Sequence, residues 1–330
     1  MKSMSRTRRL TIAAAALALM NAPALANAQA VDWPTRPIRI VVPYPTGGVT
    51  DSIVRVLAER ISSSLGQPVF VENRAGAGGT LGVDVVAKAS PDGYTIGFAA
   101  ISPLTLNPHV MKVPYDALRD VTAIGSVMYS PVYLLATPKF KGATLQDAIA
   151  LCKASPGSVA IATSGYGSVG HVMVEQLRKK SAAVMTHVPY KGGGQIATDA
   201  MGGNFDLMLA NPYPALNNLI EQGKLRALAV GAPNRLSNLP ATPTFAELGY
   251  PEANLTSFFG FFAPAKTPAD IVSRLNQTIN RILESPEIQE RVRKAENMVV
   301  TSTPAQFQDR IAREYAANAS IVKEANIRAE

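Results

Sequence analysis

The stretch Ile38-Arg39-Ile40-Val41-Val42-Pro43, then Tyr44-Pro45-Thr46-Gly47-Gly48-Val49-Thr50-Asp51 and a run to Leu65, decides the fold class. Its first part, rich in β-branched residues, reads as a strand. Residues 51–65 place Ile53, Val54, Leu57, Ile61 and Leu65 on one face of a helix. Between them lies a Gly-rich turn. Glycines let successive amides converge beside the positive end of a helix dipole, a geometry that holds a carboxylate or phosphate without a charged side chain. The same text also suits an ordinary connection, with Asp51 as an N-terminal helix residue, and both readings stand at this point.

Outward from this unit the alternation repeats. Val69–Glu72, Thr95–Ala99, Val132–Ala136, Val159–Thr163, Met185–Val188, Phe205–Leu209 and Leu225–Val230 read as strands. Helical patterns fall near 144–154, 168–180, 193–202 and 214–222, and a Gly-rich turn at 76–82 opens another. A final block starts with the apolar run Phe258–Pro264 and continues with a helix carrying Ile271, Val272, Leu275, Ile279 and Ile282, then helices at 287–295 and 305–325. Alternating strands and helices predict an α/β fold whose sheets are mostly parallel and flanked by helices. The length suits two lobes, with crossings near residues 130 and 250.

The N-terminus carries Lys2, Arg6, Arg8 and Arg9 with no acid, then the apolar stretch Leu10–Met20. That stretch is too short for a bilayer, which needs about 20 residues. Ala24-Leu25-Ala26 and Ala26-Asn27-Ala28 both have cleavage-site form, so residues 1–28 read as a signal peptide cut near Ala26 or Ala28. Arg8-Arg9 leaves the export route open between Sec and twin-arginine. The chain's formal charge is +8. Half of it sits on these four cations, which weakens any nucleic-acid reading. Arg178-Lys179-Lys180 lies toward a helix end without interleaved aromatics, so no nucleic-acid partner is expected. The single cysteine, Cys152, lies in an apolar helical pattern and excludes an internal disulfide framework.

Two further loops join a strand to a helix. Thr163-Ser164-Gly165-Tyr166-Gly167-Ser168-Val169-Gly170-His171 contains a literal G-x-G-x-x-G. No acid lies between Glu175 and Asp199 to hold a ribose, so a dinucleotide is not supported and no cofactor is expected. The anion-cradle reading survives, with the Ser164 and Ser168 hydroxyls as added donors and His171 as a cleft-lining candidate. His187-Val188-Pro189-Tyr190-Lys191-Gly192-Gly193-Gly194 has the same form, and Tyr190 offers a hydroxyl. Ligands of open α/β sheets sit beyond the carboxyl ends of strands, so these loops point at one cleft. No G-x-S-x-G or H-E-x-x-H occurs, and His109, His171 and His187 lack a metal-ligand spacing, so no metal is expected.

At these loops the chain resembles the periplasmic solute-binding receptors of the tripartite tricarboxylate transporters, often called Bug receptors. The resemblance runs from Trp33 to about Tyr315. It is carried by Trp33-Pro34-x-Arg36-Pro37-Ile38-Arg39, Pro43-x-x-x-Gly47-Gly48-x-x-Asp51, Val71-Glu72-Asn73-Arg74-x-Gly76-Ala77-Gly78-Gly79, Ser164-Gly165-x-Gly167-Ser168-x-x-His171, His187-Val188-Pro189-Tyr190-Lys191-Gly192 and Gly260-x-x-Ala263-Pro264. It implies a two-lobed binding protein of type II kind, with residues 29–130 plus 251–330 as one lobe, 131–250 as the other and a hinge between them. It further implies a periplasmic, non-enzymatic monomer that captures a small organic acid, mono- or dicarboxylate, and delivers it to membrane permease subunits. Tyr44 to Gly48 and Ser164 to Ser168 would hold the carboxylate, partly through water. Two departures bear on specificity. Thr46 stands where the family often has proline and supplies an extra hydroxyl; Phe258 stands where tryptophan is common. Asn211-Pro212-Tyr213 has no firm consensus and is a candidate specificity segment. Tyr44, Tyr190, Tyr213, Phe258 and Phe259 are candidates for a wall suited to an aromatic or elongated acid. Two alternatives remain: an exported enzyme using Ser168 and His171, or a ligand-sensing partner of a membrane signalling protein.

Overall fold

The computed structural model describes residues 32–328, so the signal-peptide reading lies outside the described residues. Among the described residues, eleven strands form two sheets. The first contains β1 (Ile38–Val42), β2 (Val69–Asn73), β3 (Thr95–Ala100), β4 (Val121–Ser130), β10 (Ser257–Pro264) and β11 (Met298–Val299), in the order β11-β4-β10-β3-β1-β2. The second contains β5 (Val132–Ala136), β6 (Ala160–Thr163), β7 (Thr186–Pro189), β8 (Leu207–Ala210) and β9 (Arg226–Gly231), in the order β7-β6-β8-β5-β9. Each sheet is the centre of one α/β lobe.

Both sheets are mixed, which corrects the expectation of mostly parallel ones. The parallel pairs are β1 with β2 and β3, and β6 with β7 and β8. Helices α1 (Val49–Leu65) and α2 (Thr80–Ala87) connect the first set. Helices α6 (Val169–Ser181) and α7 (Ile196–Met201) connect the second. A helical crossover is what returns a chain parallel to its predecessor. The antiparallel pairs are β10 with β3 and β4, β11 with β4, and β5 with β8 and β9. Strands β4, β5, β9 and β10 lie next to the passages between sheets, and β10 inserts between β3 and β4. Strand β4 escaped the sequence reading.

The two lobes therefore share a core plan. In each, the first strand of a β-α-β-α-β unit lies between the other two, so successive connections leave it in opposite directions. That is a switch point, where an open α/β sheet leaves a crevice beyond the strand's carboxyl end. In one lobe the loop at that point is Pro43–Gly48, after β1; in the other it is Ser164–Ser168, after β6.

Local chemistry sets the helices that follow. α1 starts at Gly48 without a side-chain cap and ends at Gly66, whose φ of 71° gives a left-handed stop. α6 is capped by Ser168, whose Oγ accepts the His171 amide, and carries Arg178, Lys179 and Lys180 in its last turn. The remaining helices are the single turns α3 (Ser102–Thr105) and α4 (Asn107–Val110), α5 (Leu145–Ala154), α8 (Pro214–Glu221), α9 (Ala269–Leu283), α10 (Pro286–Lys294) and α11 (Pro304–Ala325). Apolar clusters cover both faces of the second sheet, around Leu134 and Ile161 on one side and Tyr133 and Phe205 on the other. Cys152 is buried in the first of these, and burial pushes its thiol pKa up. Among the described residues no helix is long and apolar enough to cross a membrane.

Candidate functional site

The switch-point loops of the two lobes face one cleft of about 650 Å3, its open mouth included. Tyr44, Gly48, Val49 and Thr50 line it from the first unit; Ser164, Ser168, Val169 and Gly170 line it from the second. Ser102 and Phe259 join from the first sheet's side, Gly193, Leu209, Asn211 and Tyr213 from the second's. Among the described residues, no Asp, Glu, Lys, Arg or His lines it. The Tyr44 hydroxyl is driven well up by burial, opposed by a hydrogen bond with Ser102, and burial pushes Tyr213 up to about 12. The wall is neutral at physiological pH.

Charge complementarity comes instead from the backbone. The amides of Gly47, Gly165, Gly167 and Ser168 are all engaged internally, by Asp51 Oδ2, Thr163 Oγ1, His171 Nδ1 and the Gly165 carbonyl. Among the described residues, no hydrogen bond within the protein uses the amides of Val49, Thr50, Val169 or Gly170. These are first-turn positions of α1 and α6, where helix geometry leaves donors without partners and the dipole is positive. Two helix N-termini, 17 and 13 residues long, thus present unpaired N–H groups to one charge-free cleft. Such a place suits an anion.

The site predicted from sequence is redistributed. Tyr44, Gly48, Ser164, Ser168 and Asn211 line the cleft. Thr46, Gly47, Gly165 and Gly167 lie in the two loops but not on its wall. Asp51 is turned inward, accepting from Gly47 N at 3.0 Å, from Arg55 and from Asn73, and so fixes the first loop's shape. Burial raises its pKa, but the Arg55, Gly47 and Asn73 contacts together hold it below the usual carboxylate value. His171 is 3% exposed and lies behind its loop. Tyr190 donates to Asp199 at 2.7 Å and packs edge-on against Phe205. Phe258 lies under the Arg310 guanidinium and beside Phe307, while its strand neighbour Phe259 takes the cleft wall. Adjacent strand residues face opposite sides, so choosing between two phenylalanines needed the register.

Ser168 and His171 do not form a nucleophile–base pair, because the contact is His171 N to Ser168 Oγ while ring Nδ1 accepts from Gly167. Sequence reading missed Thr50, Ser102 and Ser257. Ser102 follows β3 and Thr50 opens α1, so the strand-end rule already contained the signal for both. Asn211 has a second role. Its amide donates to the Pro131 carbonyl at 2.9 Å and its Oδ1 accepts from Ser257 Oγ at 3.2 Å, so it ties both passages between the sheets at the cleft's base.

A two-lobed α/β body with a neutral, dipole-lined cleft between its sheets defines a solute-binding receptor. Residues 53–327 match the family described as "TctC: Tripartite tricarboxylate transporter family receptor", and the chain belongs to that family. It is 40% identical to protein BugT of Bordetella pertussis over 88% of this chain and 90% of that one. Among solved structures, Rpa4515 of R. palustris with adipate is similar at TM-score 0.84 and 31% identity, covering 89% of this chain and 99% of that one. MatC from Rhodopseudomonas palustris with bound malate is similar at TM-score 0.81 and 28% identity, with coverage of 88% and 100%.

Proposed function

We propose that this protein is a periplasmic receptor that closes on a small organic acid and passes it to the permease subunits of a tripartite tricarboxylate-type transporter. The observation that carries the reading is the pair of helix N-termini, one per lobe, whose unpaired amides line a single uncharged cleft. Residues 29–130 plus 251–330 would form one lobe and 131–250 the other, a division supported by which strands each sheet contains. The relatives solved with malate and adipate add that this fold holds carboxylates. The receptor works as a monomer after removal of residues 1–28, and turnover of its ligand is no part of the reading.

The energetics are adequate. Four charge-assisted hydrogen bonds at about 1.5–3 kcal/mol each contribute about 6–12 kcal/mol gross. Immobilisation costs about 4 kcal/mol or more, so micromolar affinity, near −8 kcal/mol, needs no ion pair. Thermal-shift screening of the mature protein against aliphatic, hydroxy, aromatic and amino-acid carboxylates tests the class. A rise in Tm with at least one mono- or dicarboxylate is expected; a flat response throughout overturns it.

A further inference from the structure

Behind the second helix N-terminus lies a cluster that the cleft itself does not use. The rings of His171 and His187 are stacked, 4.7 Å between centroids and 11° from parallel. Tyr166 meets both edge-on, at 5.3 Å and 5.2 Å. The Gly167 amide donates to His171 Nδ1 at 3.3 Å, which requires Nδ1 without a proton and puts the ring's single proton on Nε2. His187 Nε2 lies 2.7 Å from Thr163 Oγ1, and that oxygen accepts the Gly165 amide at 3.2 Å. Both glycine amides of the loop are therefore drawn into the lobe, away from the cleft. Gly165 and Gly167 reach this shape at φ of 121° and 69°.

We infer that His171 is a positioning residue for the solute site: its neutral ring takes the Gly167 amide out of the cleft and thereby sets the first turn of α6, leaving the Val169 and Gly170 amides for the solute. This rests on reading that cleft as the solute site. The alternative arrangement, with Gly167 N–H turned toward the cleft, would change which amides converge there. A charged ring cannot accept from Gly167, so the arrangement holds only while His171 is neutral. Its surroundings favour that state. The groups facing it are His187 from β7, Tyr166 from the loop before α6, and Arg178 about two helical turns along α6, itself paired with Glu175. Burial first, then the His187 and Arg178 charges, lower His171 to about 3; burial lowers His187 to about 4.

The test compares His171→Asn with His171→Leu in the mature protein. Asparagine keeps an acceptor near the position of Nδ1 and does not titrate; leucine fills the volume with no acceptor. Amide 15N–1H spectra of the solute-free protein come first. Wild type and His171→Asn should agree at Val169 and Gly170, and His171→Leu should differ there. Titration calorimetry with adipate and with malate should then give a Kd for His171→Asn within about threefold of wild type, and for His171→Leu at least about tenfold weaker, the latter equal to 1.4 kcal/mol. Between pH 5 and 3, wild-type affinity should fall more steeply than that of His171→Asn. Equal amide positions in His171→Leu and wild type overturn the inference, as does an asparagine variant no better than leucine in either measurement. If wild type binds neither acid nor any other carboxylate, the solute-site reading fails, and the amide comparison still decides the role of His171. If leucine prevents folding, His171→Gln replaces it, since its acceptor lies one bond too far to meet Gly167 and the same loss is expected.

Discussion

Replacing Gly194 by alanine should weaken solute binding without unfolding the protein. The loop after β7 carries Gly194 against the loop after β1, and a Cβ placed there would lie 2.3 Å from the Thr46 carbonyl oxygen and 3.6 Å from Gly48 N. An ordinary C···O contact is about 3.3 Å, so the loops must part by about 1 Å. No left-handed backbone is involved at this position, so the substitution carries no strain of its own. The seam has a counterpart related by the shared plan of the lobes. Gly78, in the loop after β2, would meet the Tyr166 carbonyl of the loop after β6 at 2.2 Å. Overpacking of this kind costs about 1–3 kcal/mol, and because an open form would relieve it, the cost falls on closure. The Kd should therefore rise about 5- to 150-fold. Calorimetry with whichever acid the thermal-shift screen identifies reads the effect. Unfolding of the solute-free variant should stay within about 2 °C of wild type. Gly202→Ala is the control, since a Cβ there meets nothing nearer than 3.5 Å. Equal affinities for Gly194→Ala and Gly202→Ala would refute the idea that this close approach belongs to the bound state.

Asp51→Asn should destabilise the protein by about 1–3 kcal/mol at pH 7, since the carboxylate serves Gly47, Arg55 and Asn73 together. Its pKa is depressed on folding, so its contribution is present above the unfolded value and is lost as pH falls through the folded one. Urea unfolding should thus show the wild-type advantage shrinking below about pH 4. For His171 and His187 the folded values, about 3 and about 4, lie below the unfolded 6.5, so the unfolded chain binds protons first. Stability should decline as pH drops from about 6.5 toward 4, by up to about 1.4 kcal/mol per pH unit for each histidine, and His171→Asn should remove one of the two contributions. Phe259→Ala should lower affinity at the cleft wall, whereas Phe258→Ala should lower stability and leave affinity near wild type. Calorimetry and denaturation on the same pair separate the two roles.

Much of the fold was legible because the signals were local. The β-branched run before Pro43 and the spacing of Ile53, Val54, Leu57 and Ile61 made a strand and a helix with little outside help, and the glycines marked the turn between. Strand β4 was not legible: Val121–Ser130 includes Gly125 and Ser126, and its pairing with β10 comes from residues more than a hundred positions away. The same holds for sheet direction. Whether β5 runs with or against β8 depends on its arriving straight from the other sheet rather than through a helix.

The candidate site divides along the same line. Sequence by itself determined the family, the α/β lobes and the two loops that face each other, because Gly-rich strand–helix turns encode their geometry within ten residues. Only the tertiary structure decided what each residue in them does. Asp51 and His171 sit in the first turns of the right helices but face inward, where they take up the glycine amides of the preceding loops. The donors left for a solute are then first-turn amides of α1 and α6, which any residue type except proline would supply. Phe259 rather than Phe258 lines the cleft by strand register alone. A backbone amide has no letter in the sequence, and which way it points is settled by hydrogen bonds and packing across the assembled lobes.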